Sequence, residues 1–274
     1  MHDIVPEADA VLEKEFKVLD KGFVRLIDYV GSDQRVVQSA RISYGQSLKD
    51  SDRDAKLIHY LMKHGHMSPF EQVSLVFHVK MPIFVARQMI RHRTAKVNEI
   101  SGRYTEMKDE FYVPEPSRMK LQDQKNKQGS GSELVDDPDD LVNALMDQQI
   151  SMFEEYKGLL DEGLAKEVAR INLPLSIYTQ WYWKIDLRNL FNFLRQRLDS
   201  HAQWEMQQYA ETIALLTKLV VPVCYTAFEE FVLDAKVISK SDMKMLRNKV
   251  DQLYDTPLSD TARVVLADVK RILF

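Results

Sequence analysis

Alternating apolar and polar residues predict several short strands in this chain. The alternation is clearest at 73–80, VSLVFHVK, where Ser74, His78 and Lys80 form the polar side and Val76 departs from the pattern. A period of two is typical of a strand with one buried face. The stretch 178–183, YTQWYW, is rich in rings, which more often form core or subunit interface than a platform for stacking a ligand. Further strands are predicted at 16–19 and 23–30 around Gly22, and at 103–107 continued by 111–113.

Apolar residues three and four positions apart predict helices elsewhere. The helix at 82–92, PIFVARQMIRH, begins at a proline and carries Gln88 and Arg91 on its polar side. Asp186 is the expected N-cap of a helix at 187–198, whose apolar stripe has polar borders, as in the wall of a cleft. Further helices are predicted at 36–42, 55–63 and 141–160, and another begins near Gly163. A long helix is predicted at 200–233 with a break at Pro222, and a last one at 259–274 with Ser259 as the candidate N-cap.

Three segments lie outside this regular pattern. Residues 119–140 contain GSGS and many charges, a composition that predicts a mobile insertion without a chemical role. Residues 1–15 are an expected N-terminal extension, and 234–274 an expected C-terminal helical extension. The remaining stretch, 16–233, is long enough for one large domain with a sizeable core.

The sequence KHGHMSPFE contains the pattern of a capping box. Ser68 stands three residues before Glu71, and Pro69 follows Ser68, which predicts one short helical turn whose free amides could hold a phosphate oxygen. His64 and His66 could suggest a metal site, but neither a carboxylate nor a third histidine follows at a recognisable spacing. Local hydrogen bonding is the better interpretation, and no metal is predicted.

The charge balance narrows the class of partner. The chain has 37 basic and 41 acidic residues and a formal net charge of −4, which argues against a non-specific nucleic-acid coat or a polybasic membrane surface. No run of eighteen apolar residues occurs, and the first residues are acidic rather than a basic leader. We therefore expect a soluble, cytoplasmic protein that binds neither nucleic acid nor a membrane.

A single cysteine, Cys224, excludes an internal disulfide and a cysteine-only zinc site. It lies in the apolar sequence VVPVCYTAFEEF. Because an apolar setting raises the pKa of a thiol, a buried structural thiol is a better interpretation than a catalytic nucleophile.

The stretch 91–104, RHRTAKVNEISGRY, is the richest in anion-binding groups. Guanidinium forks bind phosphate in a bidentate manner, and a Ser-Gly pair lets backbone amides approach an anion closely. A phosphate is therefore the natural ligand. A solvated basic loop is the alternative, and the glycine, the tyrosine and the apolar flanks count against it.

The same stretch resembles the signature of the flavin-dependent thymidylate synthases, in which RHR is followed by seven residues and a serine. Arg91, His92, Arg93 and Ser101 fill this pattern. The sequences KHGHMSPFE, FVARQ and RLDSHAQWEMQQYA are also similar to that family and occur in the same order. The resemblance covers about residues 17–233.

This resemblance implies an α+β fold: one mixed α/β domain with a central antiparallel sheet and flanking helices, assembled as a homotetramer with active sites shared between subunits. It implies conversion of dUMP to dTMP, with FAD as hydride carrier, NADPH as reductant and methylenetetrahydrofolate as carbon donor. By position, the dUMP-binding residues are Gln88, Arg91, Glu99, Ser101, Gly102, Arg103, Arg170 and Arg197. The FAD-binding residues are Ser68, Arg91, His92, Arg93, Glu99, Asp186, Arg188 and Asn192, and His66 is expected near the flavin and the folate.

Arg197 is the expected catalytic residue. A guanidinium set against O2 and N3 of uracil stabilises negative charge as N3 ionises, which makes C5 more nucleophilic without covalent attack by the enzyme. Two positions depart from the family pattern: Lys96 stands where serine is usual, and Asp186 where many members have asparagine. An anion at position 186 could repel a flavin phosphate, although a backbone group there could serve unchanged.

Other classes of function stay open at this point. An RNA- or nucleotide-binding module would use the arginine cluster and the aromatic strand, but it predicts basic residues spread along one face. A flavoprotein reductase without methyl transfer has no need of both Arg170 and Arg197, although an arginine at a helix end, such as Arg170, is more often a C-cap than a ligand. A structural protein would leave the RHR cluster unexplained.

Overall fold

A five-stranded antiparallel sheet forms the centre of the larger part of the chain. The computed structural model describes residues 3–42, 45, 51–254 and 260–273. In spatial order the strands are β1 (Phe16–Val18), β2 (Gly22–Val30), β3 (Ser74–Pro82), β7 (Tyr178–Asp186) and β4 (Lys96–Glu99). Two further strands, β5 (Lys120–Gln122) and β6 (Ser130–Leu134), pair with each other as a separate hairpin.

The central pair of strands shows the predicted alternation. In β3, Leu75, Phe77 and Val79 are fully buried, whereas the residues between them are partly exposed. Phe77 lies opposite Trp183 of β7, and Trp183 is itself fully buried. The prediction of a half-buried strand is therefore confirmed, except that Lys80, expected on its polar face, is buried and forms an ion pair with Glu110. The aromatic strand contributes its tryptophans to the core.

Helices cover the sheet and supply the rest of the core. Phe193 packs edge-on against Trp183 with ring centroids 5.1 Å apart, and Phe191 stacks on Phe228 at 4.3 Å. The α-helices are α1 (Pro6–Asp9), α2 (Asp33–Ile42), α3 (Ser51–Lys63), α4 (Ile83–Met89), α5 (Pro138–Asp161), α6 (Lys166–Ala169), α7 (Leu187–Arg197), α8 (Trp204–Val220), α9 (Pro222–Phe228), α10 (Lys240–Tyr254) and α11 (Asp260–Leu273). Short 3-10 turns occur at Ser68–Gln72, Pro116–Arg118 and Arg170–Asn172, and a π turn at Glu229–Leu233.

The start of α7 was predicted correctly. The Asp186 side chain accepts a hydrogen bond from the backbone N–H of Asn189 at 3.0 Å and one from the Asn189 side chain at 2.7 Å. Leu187, Leu190 and Leu194 are fully buried. The predicted break in the last long helix is also present, because Pro222 begins a separate helix.

The signature stretch contains a strand where a loop was expected. The helix predicted at 82–92 ends at Met89, and Lys96–Glu99 pairs with β7 as the edge strand β4. All four residues of β4 are exposed, so no alternation of apolar and polar residues marks the strand. Backbone pairing with β7 decides its conformation.

The return strand predicted at 103–107 and 111–113 is wrong. Residues 103–105 continue a turn, and Phe111 forms only an isolated bridge with Ile177. This stretch instead makes its backbone hydrogen bonds beside the start of β7, from the Tyr112 N–H to the Ser176 carbonyl and from the Tyr178 N–H to the Glu110 carbonyl, both at 2.9 Å.

Four smaller expectations also need correction. The segment 119–140 contains β5, β6 and the start of α5; its mobility stays a prediction. The helix expected from Ser200 begins at Trp204, and the one expected near Gly163 begins at Lys166. The capping box does not form, because no side chain caps the turn at Ser68–Gln72 and Glu71 instead accepts a hydrogen bond from Arg188.

The contacts divide the chain into two compact units, one ending at Leu233 and the other beginning at Asp234. The second unit contains α10 and α11. The helix α10 was not predicted, although Met243, Leu246 and Val250 recur at helical spacing and are its less exposed residues, because the many charges masked the pattern. Ser259, the candidate N-cap of the last helix, lies outside the described residues. None of the described helices is both long and apolar enough to cross a bilayer.

Candidate functional site

The signature residues lie around a turn between α4 and the edge strand β4. Gln88 belongs to the last turn of α4, and Arg91, His92 and Arg93 follow the end of that helix. Glu99 ends β4 opposite Trp181 of β7. The signature residues are thus carried by the end of α4, the edge strand β4 and the turn that follows it.

Four of the predicted nucleotide-binding residues line one cavity of about 360 Å³. Glu99, Ser101, Gly102 and Arg170 share it with Thr179. The Thr179 hydroxyl donates a 2.6 Å hydrogen bond to Glu99 Oε1, which fixes that carboxylate. The apolar part of the wall is formed by Ile83, Ile100, Met107, Leu173 and Ile177.

A tight turn places Gly102 directly against Arg170. The Ser101 carbonyl accepts hydrogen bonds from the backbone N–H groups of Tyr104 and Thr105. A Cβ at position 102 would lie 3.1 Å from Arg170 Cδ and 3.0 Å from Met107 Sδ. Glycine therefore lets the Arg170 side chain lie against the turn, and a close approach of an anion to its backbone amides stays a prediction.

The two arginines of this region differ in their availability. Arg103 forms an exposed ion pair with Glu167, with 2.9 Å between Nη2 and Oε2. The guanidinium of Arg170 forms no ion pair or side-chain hydrogen bond with any other described residue. Arg170 is therefore the better placed cation for a phosphate in this cavity, and Arg103 must leave Glu167 before it can bind one.

A second cluster joins Arg197 to His92 and Gln88. Arg197 Nε donates a hydrogen bond to His92 Nε2 at 3.1 Å, and Arg197 Nη2 donates one to the backbone carbonyl oxygen of Gln88 at 3.3 Å. Burial and the neighbouring guanidinium of Arg197 lower the pKa of His92 to about 4, and burial lowers the pKa of Arg197. His92 is therefore a neutral acceptor at ordinary pH, and it holds the guanidinium in place.

The sequence did not predict this contact. His92 was assigned to the flavin alone, and 105 positions separate it from Arg197. Thr179, which fixes Glu99, was also missed, because in the sequence it is one polar residue in an aromatic strand. Only the antiparallel pairing of β7 with β4 brings Thr179 and Glu99 together.

The remaining predicted residues have varied surroundings. Arg188 forms an ion pair with Glu71, and the Asn192 carbonyl oxygen accepts hydrogen bonds from Arg195 at 3.3 Å and Gln196 at 3.2 Å. The exposed ring of His66 lies beside Tyr60, with 6.1 Å between the ring centroids. Among the described residues, no group of three histidine, cysteine or carboxylate side chains is arranged to hold a metal ion.

The lone thiol has the surroundings of a core residue. Cys224 is fully buried, and burial together with the nearby Asp33 carboxylate raises its pKa. The Asp33 carboxylate accepts the backbone N–H of Cys224 at 2.8 Å. The prediction that Cys224 is buried is confirmed, and its lack of a catalytic role stays a prediction.

A larger cavity, of about 690 Å³, borders the second cluster at Gln203, whose side chain lines the cavity and accepts a hydrogen bond from Gln88 Nε2. Its lining comes from the β5–β6 hairpin, α5 and the start of α8, and includes Arg118, Gln149 and Trp204. None of the predicted site residues lines it, so size alone does not identify the site in this protein.

Comparison with known proteins decides the family. Residues 25–223 match the family model described as "Thymidylate synthase complementing protein". The flavin-dependent thymidylate synthase of Treponema denticola is 53% identical over 243 residues, which cover 87% of this chain and 91% of the relative. The chain belongs to the flavin-dependent thymidylate synthase family. The resemblance found in the signature is therefore confirmed.

A second relative and a solved structure support the same family assignment. A flavin-dependent thymidylate synthase of Thermus thermophilus is 50% identical over 243 residues, covering 88% of each chain. The crystal structure of a UMP/dUMP methylase from Streptomyces cacaoi, bound with 5-Br dUMP, superposes with a TM-score of 0.72 at 35% identity and covers 80% of this chain and 99% of that one. The α+β fold with an antiparallel sheet and flanking helices is that of this flavin-dependent methyltransferase family.

The donor set fits a flavin nucleotide. Arg91 and Arg93 are exposed, and neither forms an ion pair or side-chain hydrogen bond with another described residue, so both are available to the pyrophosphate of FAD. The Asp186 side chain is already engaged, because each of its oxygens accepts a hydrogen bond from Asn189. A contact of residue 186 with flavin through its backbone stays a prediction.

Proposed function

We propose that this protein catalyses the reductive methylation of dUMP to dTMP, with methylenetetrahydrofolate as carbon donor and NADPH as reductant, in the cytoplasm. Bound FAD carries the hydride in this reaction. The observation that carries the proposal is the position of Arg197, a guanidinium held by neutral His92 and by the Gln88 carbonyl within the residues of the family signature.

Arg197 is the residue that makes the uracil ring reactive. Two of its donors are directed to His92 and Gln88, which fixes the plane of the guanidinium and leaves its other N–H groups for the base. Placed against O2 and N3, it stabilises the negative charge that appears when N3 ionises, and one such donor typically contributes about 3 kcal/mol. C5 then attacks the carbon donor as a nucleophile.

A neutral His92 matters for this role. An imidazolium would donate rather than accept, and it would place a second positive charge beside Arg197. The low pKa of His92 keeps it an acceptor throughout the pH range in which the enzyme works.

The cavity beside Gly102 holds the nucleotide phosphate. Arg170 supplies the positive charge, and the Ser101 hydroxyl and the amides of the turn supply further donors. Arg103 joins them once its exposed ion pair with Glu167 opens. Exposed ion pairs of this kind contribute little stability, on the order of 0–1 kcal/mol, so a phosphate can displace Glu167.

The flavin is held by the exposed residues next to this cluster. Arg91 and Arg93 would bind its phosphates, and His92 and Glu99 belong to the same flavin-binding set. The further residues assigned to flavin are Ser68, Arg188 and Asn192, with Asp186 contributing through its backbone, and His66 lies near the flavin and the folate.

We further propose that the active enzyme is a homotetramer whose sites are shared. In one protomer the nucleotide-binding residues fall into two groups, because Arg197 does not line the cavity of Arg170 and Glu99. A site that takes its phosphate-binding group from one subunit and its base-binding group from another accounts for this division.

An assay with stepwise omission tests the proposed function. The purified, FAD-loaded protein is incubated with dUMP, NADPH and methylenetetrahydrofolate, and each component is left out in turn. dTMP should form only in the complete mixture. Formation without NADPH, or no formation with everything present, would refute the assignment.

UMP is a second candidate substrate, because the structural neighbour from Streptomyces cacaoi is named a UMP/dUMP methylase and was also solved with 5-Br UMP. Calorimetric titration of the FAD-loaded protein with dUMP and with UMP separates the two. Tighter binding of dUMP supports thymidylate synthesis, and equal binding supports a broader methylase.

A further inference from the structure

A line of hydrogen bonds connects the buried carboxylate of Glu205 to the side chain of Gln88. Glu205 lies in the first turn of α8 and is only 4% exposed. Its Oε2 accepts a hydrogen bond from Gln203 Nε2 at 2.8 Å. Gln203 Oε1 in turn accepts a short hydrogen bond from Gln88 Nε2.

The other oxygen of Glu205 is fixed independently of this line. Oε1 accepts from the Tyr112 hydroxyl at 3.2 Å and from Arg118 Nε at 3.1 Å. The Arg118 guanidinium lies 4.6 Å from the centre of the Trp204 ring, which limits its movement. Glu205 is thus a rigid acceptor that can turn neither oxygen away from its partners.

The chemistry of these groups fixes the direction of every bond in the line. A carboxylate can only accept, so Gln203 must turn its NH₂ group towards Glu205. The side-chain oxygen Oε1 of Gln203 then faces Gln88, whose side-chain NH₂ group must donate the hydrogen bond. Gln88 Oε1 receives no hydrogen bond from any described residue, and it is therefore left as an acceptor beside Arg197, which donates to the Gln88 backbone.

We propose that Glu205 is a positioning residue. It acts through Gln203 to orient the side-chain amide of Gln88, so that Gln88 Oε1 faces a hydrogen-bond donor of the nucleotide. This inference rests on the proposed function in one respect, the placement of Gln88 at the dUMP site. Without the carboxylate, the Gln88 amide can turn over and present NH₂ instead.

The substitution Glu205→Gln tests the proposal with little change of shape. The new amide keeps an oxygen for Tyr112 and Arg118 and offers NH₂ to Gln203, which reverses both glutamines in the line. We expect the dissociation constant of dUMP, measured by calorimetry on the FAD-loaded protein, to rise about tenfold, the effect of one misdirected hydrogen bond. In a Gln88→Ala background the same substitution should change it by less than about twofold, because the group that it orients is absent.

Asp33→Asn is the matched structural control. Asp33 is a partly buried carboxylate at the start of a helix, where it accepts hydrogen bonds from the backbone N–H groups of Val223 and Cys224, and no hydrogen bond joins it to Gln88. This variant should lower the melting temperature and leave the dissociation constant of dUMP unchanged. If Asp33→Asn weakens dUMP binding by a comparable factor, general destabilisation explains the effect of Glu205→Gln, and the positioning role is refuted.

The remaining outcomes each decide one claim. If Glu205→Gln leaves dUMP binding unchanged, or weakens it equally with and without Gln88, the positioning role is refuted. If Gln88→Ala does not weaken dUMP binding, Gln88 does not bind the nucleotide and the proposal fails with it. Failure of the wild-type protein itself to bind dUMP would refute the proposed function, and that titration is independent of the comparison between variants.

Discussion

Single side chains decide what the site can do, and the pair of His92 and Arg197 shows this best. In sequence terms both are basic residues and would be expected to repel each other. The structure places them 3.1 Å apart, and this distance is favourable only because His92 is neutral, with a pKa lowered from 6.5 to about 4 by burial and by the charge of Arg197. A sequence cannot show this, because the pKa depends on a neighbour 105 positions away.

The His92 pKa predicts how stability changes with pH. Between about pH 4 and 6.5 the unfolded chain binds a proton at His92 and the folded protein does not, so the free energy of unfolding should rise with pH across this window. In His92→Gln, which keeps an acceptor but cannot titrate, the rise should be smaller. Denaturant unfolding at several pH values from about 4 to 7 measures both slopes, and identical slopes would contradict the lowered pKa.

The thiol of Cys224 gives a second prediction at this scale. Because Cys224 is buried and its pKa is raised, Cys224→Ser should form dTMP at close to the wild-type rate. A serine hydroxyl can keep the hydrogen bond to Asp33, so the cost in unfolding free energy should be at most about 2 kcal/mol. A folded but inactive Cys224→Ser protein would restore the case for attack by a thiolate.

Elements differ in how far the sequence specifies them. The helix α7 was predicted with its cap, because an apolar stripe and an N-cap aspartate are both local signals. The strand β4 gave no such signal, since all its residues are exposed and only the ladder with β7 holds it. The sequence therefore identified the residues of the signature but not the strand that carries them.

The cap of α7 can be tested apart from any role in flavin binding. Asp186→Ala should lower the free energy of unfolding by about 1 kcal/mol, within a range of roughly 0.5–2. Asp186→Asn can still accept the Asn189 N–H and should cost much less, and its affinity for FAD, measured by flavin fluorescence, should not fall. A marked loss of FAD binding in Asp186→Asn with unchanged stability would show that the carboxylate contacts the cofactor.

At the scale of the whole molecule, the predicted nucleotide set lies in two clusters. The family resemblance named these residues together, but no sequence pattern shows which of them converge within one protomer. Glu99, Ser101, Gly102 and Arg170 share a cavity, whereas Arg197 lies with His92 and Gln88. Burial and strand pairing set this division.

Shared sites predict complementation between two inactive variants. Arg170→Ala and Arg197→Ala damage different clusters, so a mixed assembly contains some sites in which both arginines are intact. After equal mixing and subunit exchange, dTMP formation should recover to about a quarter of the wild-type rate, the share expected for random pairing across symmetric interfaces. If mixing restores no activity although mass spectrometry detects mixed assemblies, each site belongs to one protomer.

The central claim is that an arginine, rather than a sulfur nucleophile, makes the pyrimidine ring reactive. The most direct measurement compares dTMP formation with NADPH-driven flavin reduction in Arg197→Ala, with Arg87→Ala, an exposed arginine of α4, as the control. We predict that Arg197→Ala slows dTMP formation by about 10²–10³-fold while flavin reduction continues, and that Arg87→Ala slows neither. Equal loss of both reactions in Arg197→Ala, or dTMP formation at the wild-type rate, would contradict the account.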